Sequence, residues 1–360
     1  MRNFKCVCGQ LLFFENTRCT LCMRKLGYDP LRAELLALEP ADPELGVDVW
    51  SSVSTGSDYN LCGNYSEYNV CNWLVSNSAE TFCLSCSLNQ TIPEIDSGYR
   101  AVQRRKWWES MELAKRRLIY TLLSLGLPVI SKAKNSAIGL AFAFLEDQRV
   151  NPMVLEKHVL TGHAQGLITV NLAEADNVHR EYTRQHLGEP YRTLLGHFRH
   201  ESGHYYFEKL VPMGTDREAF RALFGDERAD YEQALADYYA SDTQLEWRPD
   251  LISAYAQVHP LEDWAECWAH YLHMIDTLET AAQYGFIITE ISGVGSVVDI
   301  EECLQQWDRV SVALNALNRS MGLEDAYPFV LSESSLNKLR FVHRAISYPS
   351  WKPTQMAAFV

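Results

Sequence analysis

Eight of the ten cysteines fall within the first 86 residues, as Cys6-x-Cys8 with Cys19-x-x-Cys22, then Cys62 and Cys71 with Cys83-x-x-Cys86. Thiolates separated by a tight turn, and gathered from two places in the chain, are how a tetrahedral structural zinc is held. Eight thiolates make two such sites. The spacing leaves open which pairs share an ion, because pairs exchanged between the two halves would also give two sets of four. A disulfide framework is the competing use for so many cysteines, and it requires export. The opening Met1-Arg-Asn-Phe-Lys-Cys6 has no apolar core of a secretory signal. A reducing cytoplasm with bound metal is therefore expected. Cys267 and Cys303 stand apart and read as small buried apolar side chains.

The spacing divides the chain. Residues 1–30 are expected to form a first zinc ribbon and residues 60–92 a second. Between them, residues 31–59 read as a linker: a short helical stretch from Leu31 to Leu38, then Pro40, Pro43 and a Ser/Gly-rich piece. Residues 93–360 form the remaining domain. A long helix is expected over about 100–125, ending near Gly126 and Pro128. Strands are expected at Gly139–Leu145 and, by alternation of Ile168, Val170 and Leu172 with polar residues, at Ala164–Leu172. From about 185 onward the chain reads as helical, over 188–209, 216–224, 227–240, 249–257, 261–282, 300–320 and 333–346, with a short extended piece at 294–300.

Within that helical part lies His200-Glu201-Ser202-Gly203-His204. Two histidines four residues apart on a helix face the same way and can share one zinc ion. The glutamate between them can act as general base on a water that the metal activates. Gly196 and Gly203 each weaken a helix by about 1 kcal/mol relative to alanine, and such local rule-breaking is expected at a functional site.

A site of this kind needs one more protein ligand and leaves a position open. The segment from Tyr255 to Tyr271 carries the best candidates. Pro260 suits a first helical turn, and acids there favour the positive end of the helix dipole. Trp264, Ala265, Trp268, Ala269 and Leu272 recur as a buried helical face. Glu262 and Glu266, one turn apart, share a side. One carboxylate can bind the metal while the other accepts a hydrogen bond from a ligand imidazole. Asp263, His259 and His270 remain rival ligands at this level.

H-E-x-x-H followed by Y-A-x-x-x-P-x-E-x-x-A-E resembles the gluzincin group that includes anthrax lethal factor and the bacterial Mlc titration factor. The resemblance implies that Glu262 binds zinc, that Glu266 supports the site and that Tyr255 faces the substrate oxyanion. Asp263-Trp264 depart from the two aromatic residues usual there. The runs Phe198–Tyr206, Gly225–Tyr231 and Glu262–Tyr271 are similar to a bacterial family of zinc-binding metallopeptidases with an N-terminal zinc ribbon. That family implies an α+β fold: four-cysteine zinc ribbons followed by a mostly helical zincin-like metallopeptidase domain with a small sheet. It implies one catalytic zinc beside the two structural ones. In zincin folds the strand beside the active-site helix is often an open edge that an extended peptide can join.

The net charge of −14 disfavours general nucleic-acid binding. Residues 1–92 carry six Lys/Arg and ten Asp/Glu, a balance of −4, so the ribbons are expected to recruit protein rather than nucleic acid. No apolar run reaches the length of a membrane span. Residues 93–134 are the basic exception, with Arg104–Lys106 and Lys115–Arg117 reading as the solvated face of an amphipathic helix or as a docking surface. The expected function is hydrolysis of peptide or isopeptide bonds in a protein or peptide substrate. The alternative is a protein-binding or regulatory ribbon module whose zincin domain acts on a non-peptide amide or is not catalytic.

Overall fold

The computed structural model describes residues 2–42, 49–76, 79–96, 98, 100–149, 151–240, 248–287 and 299–347. The chain is α+β and divides into two compact units. One comprises Met1–Tyr120, Ser131–Leu160 and Thr169–Ala175; the other comprises Thr121–Ile130, Thr161–Ile168 and Asp176–Val360.

The first unit begins with a two-stranded ladder, β1 (Phe4–Lys5) against β2 (Leu11–Leu12). An antiparallel sheet follows, with strands in chain order: β3 (Lys25–Asp29), β4 (Glu34–Pro40), β5 (Val49–Ser52), β6 (Asp58–Leu61) and, after the short helix α1 (Gly63–Ser66), β7 (Leu74–Val75). The stretch read as a helix and linker over 31–59 is thus largely sheet. Asp29 Oδ1 accepts from Leu31 N at 2.9 Å, and Ala33 takes a positive φ of 53°, which closes a hairpin instead of a helix. The unbroken run Leu35–Leu38 is then buried on both faces of β4. Such a run suits an interior strand as well as a helix, and periodicity alone does not separate them. Leu36, Leu38, Tyr59 and Leu74 form a core cluster with Trp50 and Leu61 against it. The part of the linker at 43–48 lies outside the described residues.

Next come β8 (Asn89–Thr91), α2 (Ala101–Ser124) and β9 (Ala141–Leu145), with β8 and β9 parallel. Helix α2 presents only part of the solvated basic face expected of it: Arg105 and Lys106 are exposed and Arg117 is half-buried, but the other three cations are buried. Lys115 is fully buried with Glu112 at 2.9 Å, Arg104 is buried against Glu146 at 3.3 Å, and Arg116 is buried with its Nη1 donating to Val70 O at 2.6 Å. A buried cation is tolerable only when paired, and sequence spacing did not reveal these partners.

Strand β10 (Gly162–Ala164), in the second unit, leads into β11 (Leu167–Asn171), of which Leu167 and Ile168 belong to the second unit and the rest to the first. Among the described residues the edge of that sheet falls to β10, whose neighbour in it is β11. The helices are α3 (Asn177–His186), α4 (Leu194–Leu210), α5 (Thr215–Phe224), α6 (Tyr231–Ala240), α7 (Pro260–Gln283), α8 (Ile300–Ser320) and α9 (Glu333–Ser347). Helix α3 was not anticipated; Asp176 caps it by accepting from Val178 N. The helix expected from 188 starts only at Leu194, where Thr193 caps it by accepting from Gly196 N at 3.0 Å. The stretch 249–257 makes only a single 3-10 turn at Tyr255–Gln257. The extended piece at 294–300 lies outside the described residues as far as 298, and Asp299 caps α8. Helix α7 is the centre of the unit and packs against α4, α5, α8 and α9. No helix among the described residues is long and apolar enough to cross a membrane.

Candidate metal centre

The contact between α4 and α7 explains why the histidine motif contains a glycine. A Cβ at Gly203 would lie 3.0 Å from Ala265 Cα and 3.0 Å from Trp268 Cδ1, so any side chain here would push the two helices apart by a few tenths of an ångström. The indoles of α7 bind the same turn: Trp264 Nε1 donates to Gly203 O at 2.9 Å, and Trp268 Nε1 donates to Ser202 Oγ at 3.0 Å. The two central residues of the motif therefore join the helices, while the residues around them face the site. Gly196 leaves room for its cap, since a Cβ there would sit 3.0 Å from Thr193 Oγ1.

Helix α7 is aimed by its own start. Pro260 occupies its first turn, and His259 caps it, with Nδ1 accepting from Leu261 N at 3.1 Å. Glu262 and Glu266 then reach α4 one turn apart. Glu262 Oε2 lies 3.0 Å from His200 Nε2, and Glu262 Oε1 lies 3.4 Å from His204 Nε2. His200 Nδ1 donates to Glu266 Oε1 at 2.7 Å. Zinc sits about 2.0–2.1 Å from nitrogen and oxygen ligands, so a tetrahedral edge measures about 3.3 Å. The two carboxylate–imidazole distances lie near that edge, and one ligand atom from each of His200, His204 and Glu262 lies within 4.8 Å of the others. Two imidazoles and a carboxylate fit zinc chemically, and with Nδ1 donating to Glu266 it is Nε2 that His200 would offer to a bound cation in place of its proton.

Electrostatics favour an ionised carboxylate here. Burial acts to raise the Glu262 pKa, but hydrogen bonds from His200 and His204 outweigh it and hold this carboxyl well below the usual range. Burial likewise opposes ionisation of Glu266, and the His200 contact overcomes it. Glu201 is buried on α4. Tyr255 is near, its ring 5.9 Å from that of His200. Burial, then the Glu262 charge, pushes its phenol far above the ordinary range, so it stays a donor.

The rival ligands are occupied elsewhere. His259 uses both ring nitrogens, one on the cap and Nε2 donating to Ala229 O at 3.0 Å. Asp263 is buried against Lys338 Nζ at 2.5 Å, and burial lifts its pKa to about 6 despite that cation. His270 contacts Tyr327 Oη at 2.7 Å, and burial lowers its pKa to about 4. Two residues were missed. Tyr231 Oη donates to Glu262 Oε1 at 2.7 Å. His163, on edge strand β10, lies parallel to the His204 ring at 6.4 Å. The helical insert supplies Tyr231 through tertiary folding, and its position in the run Gly225–Tyr231 was the only signal.

In the first unit the cysteines gather as Cys6, Cys8, Cys19 and Cys22 and as Cys62, Cys71, Cys83 and Cys86, without exchange between the halves. A zinc–sulfur bond of about 2.3 Å gives a tetrahedral sulfur–sulfur edge of about 3.8 Å. The observed Sγ separations are 3.6 Å for Cys6–Cys22, 3.6 Å for Cys8–Cys19 and 3.8 Å for Cys71–Cys83. All ten cysteines are free of disulfides. The Arg24 backbone amide pulls the Cys22 thiol down to about 6. Burial opposes ionisation of Cys71, yet hydrogen bonds from Cys62, Cys83 and Cys86 and the Arg116 charge bring it well below the ordinary value. Cys267 and Cys303 are buried, as expected of small apolar side chains.

A sequence model described as "Putative zinc-binding metallo-peptidase" matches residues 104–345, and a zinc-ribbon domain model matches residues 3–97, across both cysteine groups. Uncharacterised proteins of Mycobacterium bovis and of two strains of Mycobacterium tuberculosis are each 39% identical over 98% of this chain and 98% of their own length. No solved structure matches.

Proposed function

This chain belongs to the zinc-binding metallopeptidase family with an N-terminal zinc ribbon, and from that premise we propose that it hydrolyses peptide or isopeptide bonds. The observation that carries the reading is the convergence of His200, His204 and Glu262 from two helices at zinc-ligand spacing. These three would hold one zinc, and each cysteine group one more. Zinc at the first site supplies Lewis acidity, polarising a carbonyl oxygen and making a neighbouring water acidic enough to lose its proton near neutral pH.

The side chains supply the rest. Glu201 takes the proton from the attacking water and delivers it to the leaving amine. Glu266 fixes the tautomer and orientation of His200 through the 2.7 Å contact. Tyr255, kept protonated by burial, donates to the oxyanion as the carbonyl carbon becomes tetrahedral. An extended substrate would add to edge strand β10, which packs against α4, by backbone hydrogen bonds. The ribbons would recruit a protein partner, and the free cysteines suit the reducing cytoplasm.

Glu201→Gln tests the reading. It should retain zinc and lower turnover by about 10²–10⁴-fold, read as lost products when parent and variant are compared on a peptide library. Equal cleavage by the two proteins would remove Glu201 as the base; no cleavage by either would favour the non-peptide or non-catalytic alternative.

A further inference from the structure

Helix α6 (Tyr231–Ala240) has no buried residue. A helix this short draws its stability from packing an apolar face, and α6 has no such face in the core. What seats it is the metal centre. Tyr231 Oη donates to Glu262 Oε1 at 2.7 Å, and the Tyr231 ring meets His259 edge-on at 5.2 Å. Farther along, Tyr238 meets the Tyr255 ring edge-on at 5.8 Å.

The Tyr231 contact selects between the two carboxylate oxygens. It holds Oε1, the oxygen 3.4 Å from His204, while Oε2 lies 3.0 Å from His200. A carboxylate with neither oxygen fixed can rotate and present one or both to a cation. With a donor on Oε1, its plane is set.

We propose that Tyr231 is a positioning residue for Glu262 and that, through it, the seating of α6 is coupled to metal binding. This rests on the reading of His200, His204 and Glu262 as the ligand set. The coupling is reciprocal: a metal that fixes Glu262 strengthens the hold on α6, and an α6 that has lost its anchor weakens the metal.

The test uses the full chain with its cysteine-bound zinc retained. Zinc at the remaining site is titrated against a competing chelator for the parent, Tyr231→Phe and, as a control, the exposed Tyr284→Phe. Cobalt(II) replaces zinc for electronic spectra, and hydrogen exchange is followed across α6. Tyr231→Phe should bind zinc about 10–100-fold more weakly and shift the cobalt bands. Tyr284→Phe should match the parent. In the parent itself, stripping only this zinc should speed exchange of the α6 amides. Parent-like affinity and spectrum in Tyr231→Phe would overturn the positioning role, and metal-independent exchange of α6 would overturn the coupling. If the parent binds only the two cysteine-held ions, the metal-centre reading itself falls, and this inference with it.

Discussion

The two cysteine groups have the same four donors and very different surroundings. In the first, Cys6 and Cys19 are buried, Cys22 is half-buried and Cys8 exposed. In the second, Cys62, Cys71, Cys83 and Cys86 are all buried, none more than 3% exposed. Backbone amides of Trp73, Cys83 and Cys86 point at its sulfurs at 3.4–3.5 Å, and Cys86 Sγ lies 3.7 Å from Glu112 Oε2. The Arg116 charge acts on Cys71, Cys86 and Cys83. Four thiolates around one zinc carry a net negative charge, tolerable in a core only with compensation. The first group, half of it at the surface, is therefore closer to a local staple of the β1–β2 ladder, and the second is wholly part of the core of its unit.

The largest test of that contrast removes one ligand from each. A structural zinc contributes about 10–16 kcal/mol of folding free energy in small domains, as much as a whole domain's margin of about 5–15 kcal/mol. Cys86→Ser should therefore unfold the first unit. Cys8→Ser should lose one zinc and leave the larger sheet intact, as read by elemental analysis and limited proteolysis. Equal collapse of both variants would break the comparison. A smaller effect comes from the neighbouring cations. Arg116→Met leaves buried negative charge uncompensated and should lower stability by about 3–5 kcal/mol in a denaturant titration. Arg24→Met, beside Cys22 on the surface, should leave the midpoint almost unchanged. The smallest effect is kinetic: a chelator should strip zinc from the first group roughly tenfold faster than from the second, the burial of all four thiols and the Arg116 charge around the second slowing release. Matching release rates would show that burial does not govern lability here.

The legible parts of the molecule were those fixed by residue type at short spacing. His200, Glu201 and His204 lie on one helix, and Cys6-x-Cys8, Cys19-x-x-Cys22 and Cys83-x-x-Cys86 are close in sequence, so local geometry already brought each of these together, while which cysteines share a site was left to the fold. Glu262 and Glu266 needed only that α7 begin at Pro260. What stayed hidden depended on distant partners. Lys115 and Arg116 look solvated until Glu112, Val70 and the thiolates surround them. Leu35–Leu38 reads equally as helix or strand until a sheet covers both faces. Tyr231 lies 31 residues from the carboxylate that it holds, on a helix whose own composition gives no reason to seat it there.

The bare backbone at Gly203 also bears on how the centre trades ions. Ala265 and Trp268 rest directly on α4, and the two indole hydrogen bonds lock that seam. His200 and Glu262, 62 residues apart in the chain, are thus spaced by a rigid joint of main chain and tryptophan. Were a zinc held there, exchanging it for a cation of similar radius would be a substitution in a preset socket, with neither helix asked to travel.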